Sequence, residues 1–155
     1  MQLDSYKVIG MISPQLMRTT QSPSTTSVDT LGFAGGKMIV SFNVGSVTAA
    51  PSTLALQESD DDSTYVDLIS MSDKTLDGLS GSFFTGSEDN SDVVFDVPLE
   101  PPRKRYFRLV YVNDGGTNLI SATAFLFGRN LQGERAEGTN TQRPKSDLYS
   151  TRRNA

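Results

Sequence analysis

A chain of 155 residues with a net charge of −4 can hold one hydrophobic core but hardly two. It has no histidine and no cysteine, which excludes Ser-His-Asp and Cys-His catalysis, the usual zinc sites and disulfide support. No apolar run approaches the roughly 18 residues of a membrane-spanning helix, and the N-terminal MQLDSYKVIGMISPQLMR lacks the basic leader and apolar run of a signal peptide.

Residues 1–35 read as a strand followed by an extended arm. Tyr6, Val8 and Ile12 alternate with Lys7 and Met11 around Ile9 and Gly10, a weak period of two. From Met17 and Arg18 to Val28 the chain is Ser, Thr, Gln and Pro without hydrophobic period, and is expected to be an arm or long loop.

Residues 36–128 carry the period of a β domain. Met38, Val40, Phe42 and Val44 alternate with Ile39, Ser41 and Asn43, the pattern of a half-buried strand. Leu54 and Leu56 share a face, Ser59 to Ser63 is a turn in which Asp and Ser side chains bond back to the backbone, and Tyr65 to Ile69 resumes extended structure. The 54–69 stretch is therefore a predicted hairpin. Residues 73–92 are turn-rich, with a short strand expected at Phe83 and Phe84. Val93 to Val97 is a strand stopped by Pro98, and Pro101-Pro102 fixes an extended connection. In the strand from Arg105 to Val112, Phe107, Leu109 and Tyr111 line one face. After the turn Asn113-Asp114-Gly115-Gly116, Ile120, Ala122, Ala124 and Leu126 alternate with Ser121, Thr123, Phe125 and Phe127. Seven or eight short strands imply an all-β, sandwich or jelly-roll-like domain with Phe42, Leu56, Phe107, Leu109 and Leu126 in its core.

Residues 129–155 form a polar arm with few large apolar residues. The charge is asymmetric. Residues 37–128 hold 13 acids and 6 bases, whereas residues 129–155 hold 6 bases and 3 acids. A basic tail on an acidic body suits an acidic surface on a partner, with Arg143, Lys145, Arg152 and Arg153 supplying charge and Leu148 and Tyr149 as anchors. Residues 13–30 and 129–155 are too poor in apolar surface to fold alone, so both are expected to be mobile until they meet that partner.

Sites for chemistry are weak. Asp60-Asp61-Asp62 lacks the glycine and glutamate spacing of a calcium loop and reads as a solvated turn. Acid pairs for glycoside hydrolysis sit about 5 to 9.5 Å apart in a setting that raises one pKa, and Asp96, the nearest candidate, is expected to point outward from its strand. Arg103-Lys104-Arg105 beside Tyr106 could be a nucleic-acid stripe, but the body is acidic, so a salt-bridged strand start is the expected role. Gly35-Gly36-Lys37 lacks the remainder of a phosphate loop. No catalytic residue, cofactor, metal, nucleic-acid partner or membrane partner is expected.

Two stretches carry a resemblance. Leu54 to Asp67, LALQESDDDSTYVD, resembles the L-x-x-S-D-D-x-x-T-(aromatic)-x-D hairpin of small tailed-phage virion proteins. Arg105 to Val112, RYFRLVYV, with Ala122 to Phe127, resembles their R-Y-x-R strand and closing strand. Together they span residues 53–128. These proteins are similar to capsid cement, or decoration, proteins. The resemblance implies a β-sandwich or jelly-roll body on the outer surface of a phage capsid, where it bridges neighbouring major capsid proteins as a symmetric oligomer, a dimer or trimer. Its contacts would come from the arms: Tyr6, Met17 and Arg18 at one end, Arg143, Lys145, Leu148, Tyr149, Arg152 and Arg153 at the other. A phage tail or receptor-binding module, using loops for recognition, is the alternative, and a carbohydrate-active enzyme is a third.

Overall fold

The computed structural model describes residues 6–49, 51–70, 90–113 and 115–128, and the backbone of residues 149–153. Its strands are β1 (Tyr6–Met17), β2 (Val28–Asp29), β3 (Lys37–Val47), β4 (Thr53–Ser59), β5 (Val66–Ser70), β6 (Ser91–Pro98), β7 (Tyr106–Val112), β8 (Asn118–Phe127) and β9 (Tyr149–Arg153). No helix occurs among the described residues. All pairings are antiparallel, in one sheet ordered β1-β8-β3-β6-β9 and a second ordered β2-β7-β4-β5.

The period of two decides which side of each sheet is dry. Met38, Val40, Phe42 and Val44 of β3, Val93, Phe95 and Val97 of β6, and Ile120, Ala122, Ala124 and Leu126 of β8 form the inner face of the first sheet. Leu54 and Leu56 of β4 and Phe107, Leu109 and Tyr111 of β7 form that of the second. All belong to one hydrophobic cluster, and the Phe42 and Tyr111 rings meet across it at 5.5 Å between centroids. The five expected core residues Phe42, Leu56, Phe107, Leu109 and Leu126 are buried in it. The arrangement is all-β and consistent with a β-sandwich.

The N-terminal segment differs from the arm expected of it. Strand β1 runs to Met17 and pairs with β8 along its length, with register shifts between Gly10 and Ile12 and between Ile12 and Gln15. The first shift lets Met11 and Ile12 both sink into the core, where Met17 and Val28 join them. The polar stretch between is tied down by backbone bonds: Thr26 N–H to Met11 O at 2.9 Å, and Asn113 N–H to Gln21 O at 2.9 Å. Thr30 gives both its N–H and its hydroxyl to the Arg105 carbonyl. Residues 13–30 need no independent fold, because their few apolar groups are spent on a core built by other strands. The expected strand at Phe83 and Phe84 and most of the C-terminal arm lie outside the described residues.

Where three connections converge, a buried polar cluster closes one end of the core. The Asn118 amide donates to the Tyr111 hydroxyl at 2.8 Å, to Asn113 Oδ1 at 2.9 Å and to the Ala49 carbonyl at 2.9 Å, and its oxygen accepts the Thr48 N–H at 3.1 Å. Burial pushes the Tyr111 phenol pKa up. At the opposite end Gly36 lies against β8: a Cβ there would stand 1.9 Å from the Phe127 carbonyl oxygen, so only glycine admits this approach.

Leu109→Ala should lower unfolding free energy by about 2–5 kcal/mol in denaturant titration. Deleting residues 1–17 withdraws Met11, Ile12 and Met17 from the core, each worth about 1.5–3 kcal/mol when buried, against a total stability of about 5–15 kcal/mol. The truncated chain should lose its cooperative thermal transition, a result that a passive arm would not give.

Candidate interaction surfaces

The hairpin within Leu54 to Asp67 and the strand within Arg105 to Val112, singled out in the sequence, lie side by side in the second sheet, whereas Ala122 to Phe127 belongs to β8 of the first. Strand β4 pairs with β5 on one side and β7 on the other. The turn between β4 and β5 is built on Asp61, whose carboxylate accepts the Ser63 N–H at 3.0 Å, the Thr64 N–H at 2.8 Å and the Ser59 hydroxyl at 2.8 Å. Those donors, the Thr64 and Ser63 amides above all, hold the Asp61 carboxyl well below its usual range. Across the outer face the Gln57 amide donates to Asp67 at 2.7 Å, and Arg108 Nε donates to Gln57 Oε1 at 2.7 Å. The Arg108 guanidinium sits 4.0 Å above the Tyr65 ring, and the Tyr65 hydroxyl donates to Asp62. Burial and the Asp62 carboxylate push the Tyr65 phenol up to about 12. The motif residues bind one another; the acidic run and the second arginine of R-Y-x-R are parts of a scaffold.

The basic run is engaged as well, in the salt-bridged role expected of it. Arg103 lies 3.8 Å from the shielded Glu58, which also accepts the Lys104 N–H at 3.2 Å. Lys104 reaches Asp60 at 3.1 Å. Arg105 makes a two-pronged pair with Asp29, at 2.8 and 2.7 Å, and lies 4.8 Å over the Tyr106 ring. The charges that a phosphate backbone would need are thus matched by carboxylates.

The outer face of the first sheet is different. Tyr6, Phe127, Lys37 and Pro98 form one outward row, and Val8, Phe125, Ile39 and Asp96 the next. Tyr6 is 71 % exposed, and Val8 and Phe127 are also exposed. Farther along, the face turns polar at Ser121, Asn43 and Asp92, which with Gly45 and Leu119 line a shallow open groove. Asp96 is on this outer face, as its strand parity required, and is half-buried. Among the described residues no group of three or more acidic side chains is placed to hold a metal ion.

Of the expected contact residues, Tyr6 stands in this apolar patch. Met17 does not fit: at 3 % exposure it faces the core opposite Asn118, because the strand continues through it. Arg18 is exposed just beyond β1, its N–H bonded to Gln21 Oε1 at 2.8 Å. Tyr149, Arg152 and Arg153 belong to β9 on the far edge of the first sheet. Arg143, Lys145 and Leu148 lie outside the described residues. Sequence reasoning missed Val8, Ile39, Phe125 and Phe127 as a surface. The signal was the two phenylalanines on the face of β8 that a solvated strand would fill with polar groups. No family model matches the chain, and neither does any curated protein.

Asp29 supplies a pH test. Its hydrogen bonds from Arg105 lower its carboxyl from 3.8 to about 2. A depressed carboxyl stabilises above its unfolded value and loses that contribution as pH falls toward the folded one. Asp29→Asn should therefore be less stable than the parent at pH 7, with the gap closing between about pH 4 and pH 2. The gap should be small, since the pair is more than a third exposed. Thermal melts of both chains across that window measure it.

Proposed function

We propose that this chain is a structural virion protein that binds the outer surface of a phage capsid and stabilises it by bridging neighbouring major capsid proteins. The observation that carries the reading is the mutual packing of the resembling hairpin and the R-Y-x-R strand: the hairpin β4–β5 and strand β7 adjoin, and Tyr65, Gln57, Asp67 and Arg108 interlock as one unit. A resemblance made of scaffold residues speaks to a shared body.

The strand order supports a finer reading of that body as a jelly roll. The first sheet runs β1-β8-β3-β6 before β9, and the second runs β2-β7-β4-β5, so among the first eight strands every link except β4–β5 passes from one sheet to the other. Eight strands wound this way make two nested Greek keys, a form that viral capsid domains use. The patch around Tyr6, Val8, Ile39, Phe125 and Phe127 gives the body a surface suited to permanent contact, with the exposed Lys37 at its rim. A cement role needs stable area and no titrating group, which suits a chain without histidine. The tail-module reading would place recognition in loops.

Co-sedimentation of the full chain with shells that lack it tests the reading. The parent should pellet with the shells. Tyr6→Asp with Phe127→Asp should weaken binding by at least about tenfold, the effect of about 1.4 kcal/mol, without unfolding the body. Parent protein left in the supernatant at all concentrations would end the capsid reading.

A further inference from the structure

Strand β9 is separated in sequence from the eight strands before it. The described core cluster lies between Met11 and Leu126, and the closing strand β8 ends at Phe127. The chain next appears as β9, beyond β3 and β6 on the far edge of the same sheet. There Tyr149 lies opposite Phe95, Ser150 opposite Val94, Thr151 opposite Val93, Arg152 opposite Asp92 and Arg153 opposite Ser91. Without it, β6 would end the sheet as a row of N–H and C=O groups open to another strand.

The connection is far longer than this position requires. From β8 to β9 is three strand spacings, about 14 Å, and the three-residue offset from the Pro98 row to Phe95 adds about 10 Å along the strands, so about 17 Å directly. Residues 128–148 lie between. A chain of that length can span up to about 70 Å, well beyond the diameter of a body this size, about 35 Å. The same reach that lets β9 return to its own β6 brings it to the β6 of an adjacent copy.

Charge favours a partner of the same kind. The acidic body, with 13 acids against 6 bases, repels its like, whereas the basic residues 129–155 are drawn to it. The ladder repeats this contrast by setting Arg152 opposite Asp92. Every copy owns one donor strand and one acceptor edge, so exchange keeps every ladder bond. The choice between own edge and neighbour's edge then rests on effective concentration, of millimolar order for linked modules.

We propose that the β6 edge, Ser91 to Phe95, is an acceptor site for the C-terminal strand of a second copy of this chain. In dilute solution β9 covers its own β6; at millimolar local concentration it crosses to a neighbour and links the two by β-strand addition. This inference does not depend on the capsid reading.

The absence of cysteine makes the test direct. Chains carrying Val94→Cys and Ser150→Cys singly are mixed, incubated and oxidised at rising concentration, with Ser63→Cys, in the exposed turn of the second sheet, replacing Val94→Cys as the collision control. The Val94→Cys and Ser150→Cys chains should form a disulfide-linked heterodimer that grows with concentration, at least about tenfold above the control near 1 mM. The double variant should close within one chain when dilute and form covalent oligomers when concentrated. A double variant that remains monomeric at every concentration, a heterodimer no more abundant than the control, or no disulfide in either format would overturn the proposal.

Discussion

The fold depends on burying both inner faces against each other with strands that come from distant parts of the sequence. Strand β8 shows the constraint most sharply. It pairs with the first strand of the chain on one side and with β3 on the other, and its inner face supplies Ile120, Ala122, Ala124 and Leu126. The small alanines leave room beneath for rings, and Phe42, Phe95, Phe107 and Tyr111 occupy the core. Neither sheet can dry its apolar face alone, and the links between them pass back and forth, so the layers form together. Such non-local pairing makes the body slow to form but hard to dismantle locally.

The polar features serve that same body. Asn118 binds groups from two connections and a core tyrosine, so the end of the sandwich is closed by hydrogen bonds where an apolar plug would leave backbone groups unsatisfied. The acidic run shapes a turn through Asp61, and Arg103, Lys104 and Arg105 fasten β7 to carboxylates of β2, β4 and the following turn. Residues that looked like candidates for chemistry are thereby engaged in structure. What the body leaves free is surface: an apolar patch at one end of the first sheet and a long-tethered strand on its edge. The proposed contact role and the proposed strand exchange rest on these two features.

The alternating strands were legible because their parity is uninterrupted. Strands β3, β6, β7 and β8 switch between buried and half-buried at nearly every residue, and the hairpin at 54–69 carried its own turn chemistry in Asp61 and Ser59. Strand β1 was only half legible. Two register shifts break its period, and Pro14 sits where an edge strand tolerates a missing donor. Strand β2 has two residues, too few for any period. Strand β9, YSTRR, has one large apolar residue, so its place comes from backbone pairing that hydrophobic pattern does not encode. The apolar patch was hidden for another reason: its residues come from β1, β3 and β8, and only the register shows that they are neighbours.

Electron cryo-microscopy of intact virions, with this chain located in the map, tests the central claim most directly. The account predicts the two-sheet body on the outer capsid surface, set over the boundaries between major capsid proteins, with the face bearing Tyr6, Val8 and Phe127 against the shell. Density for the chain in the tail, or particles that contain none of it, would contradict the account.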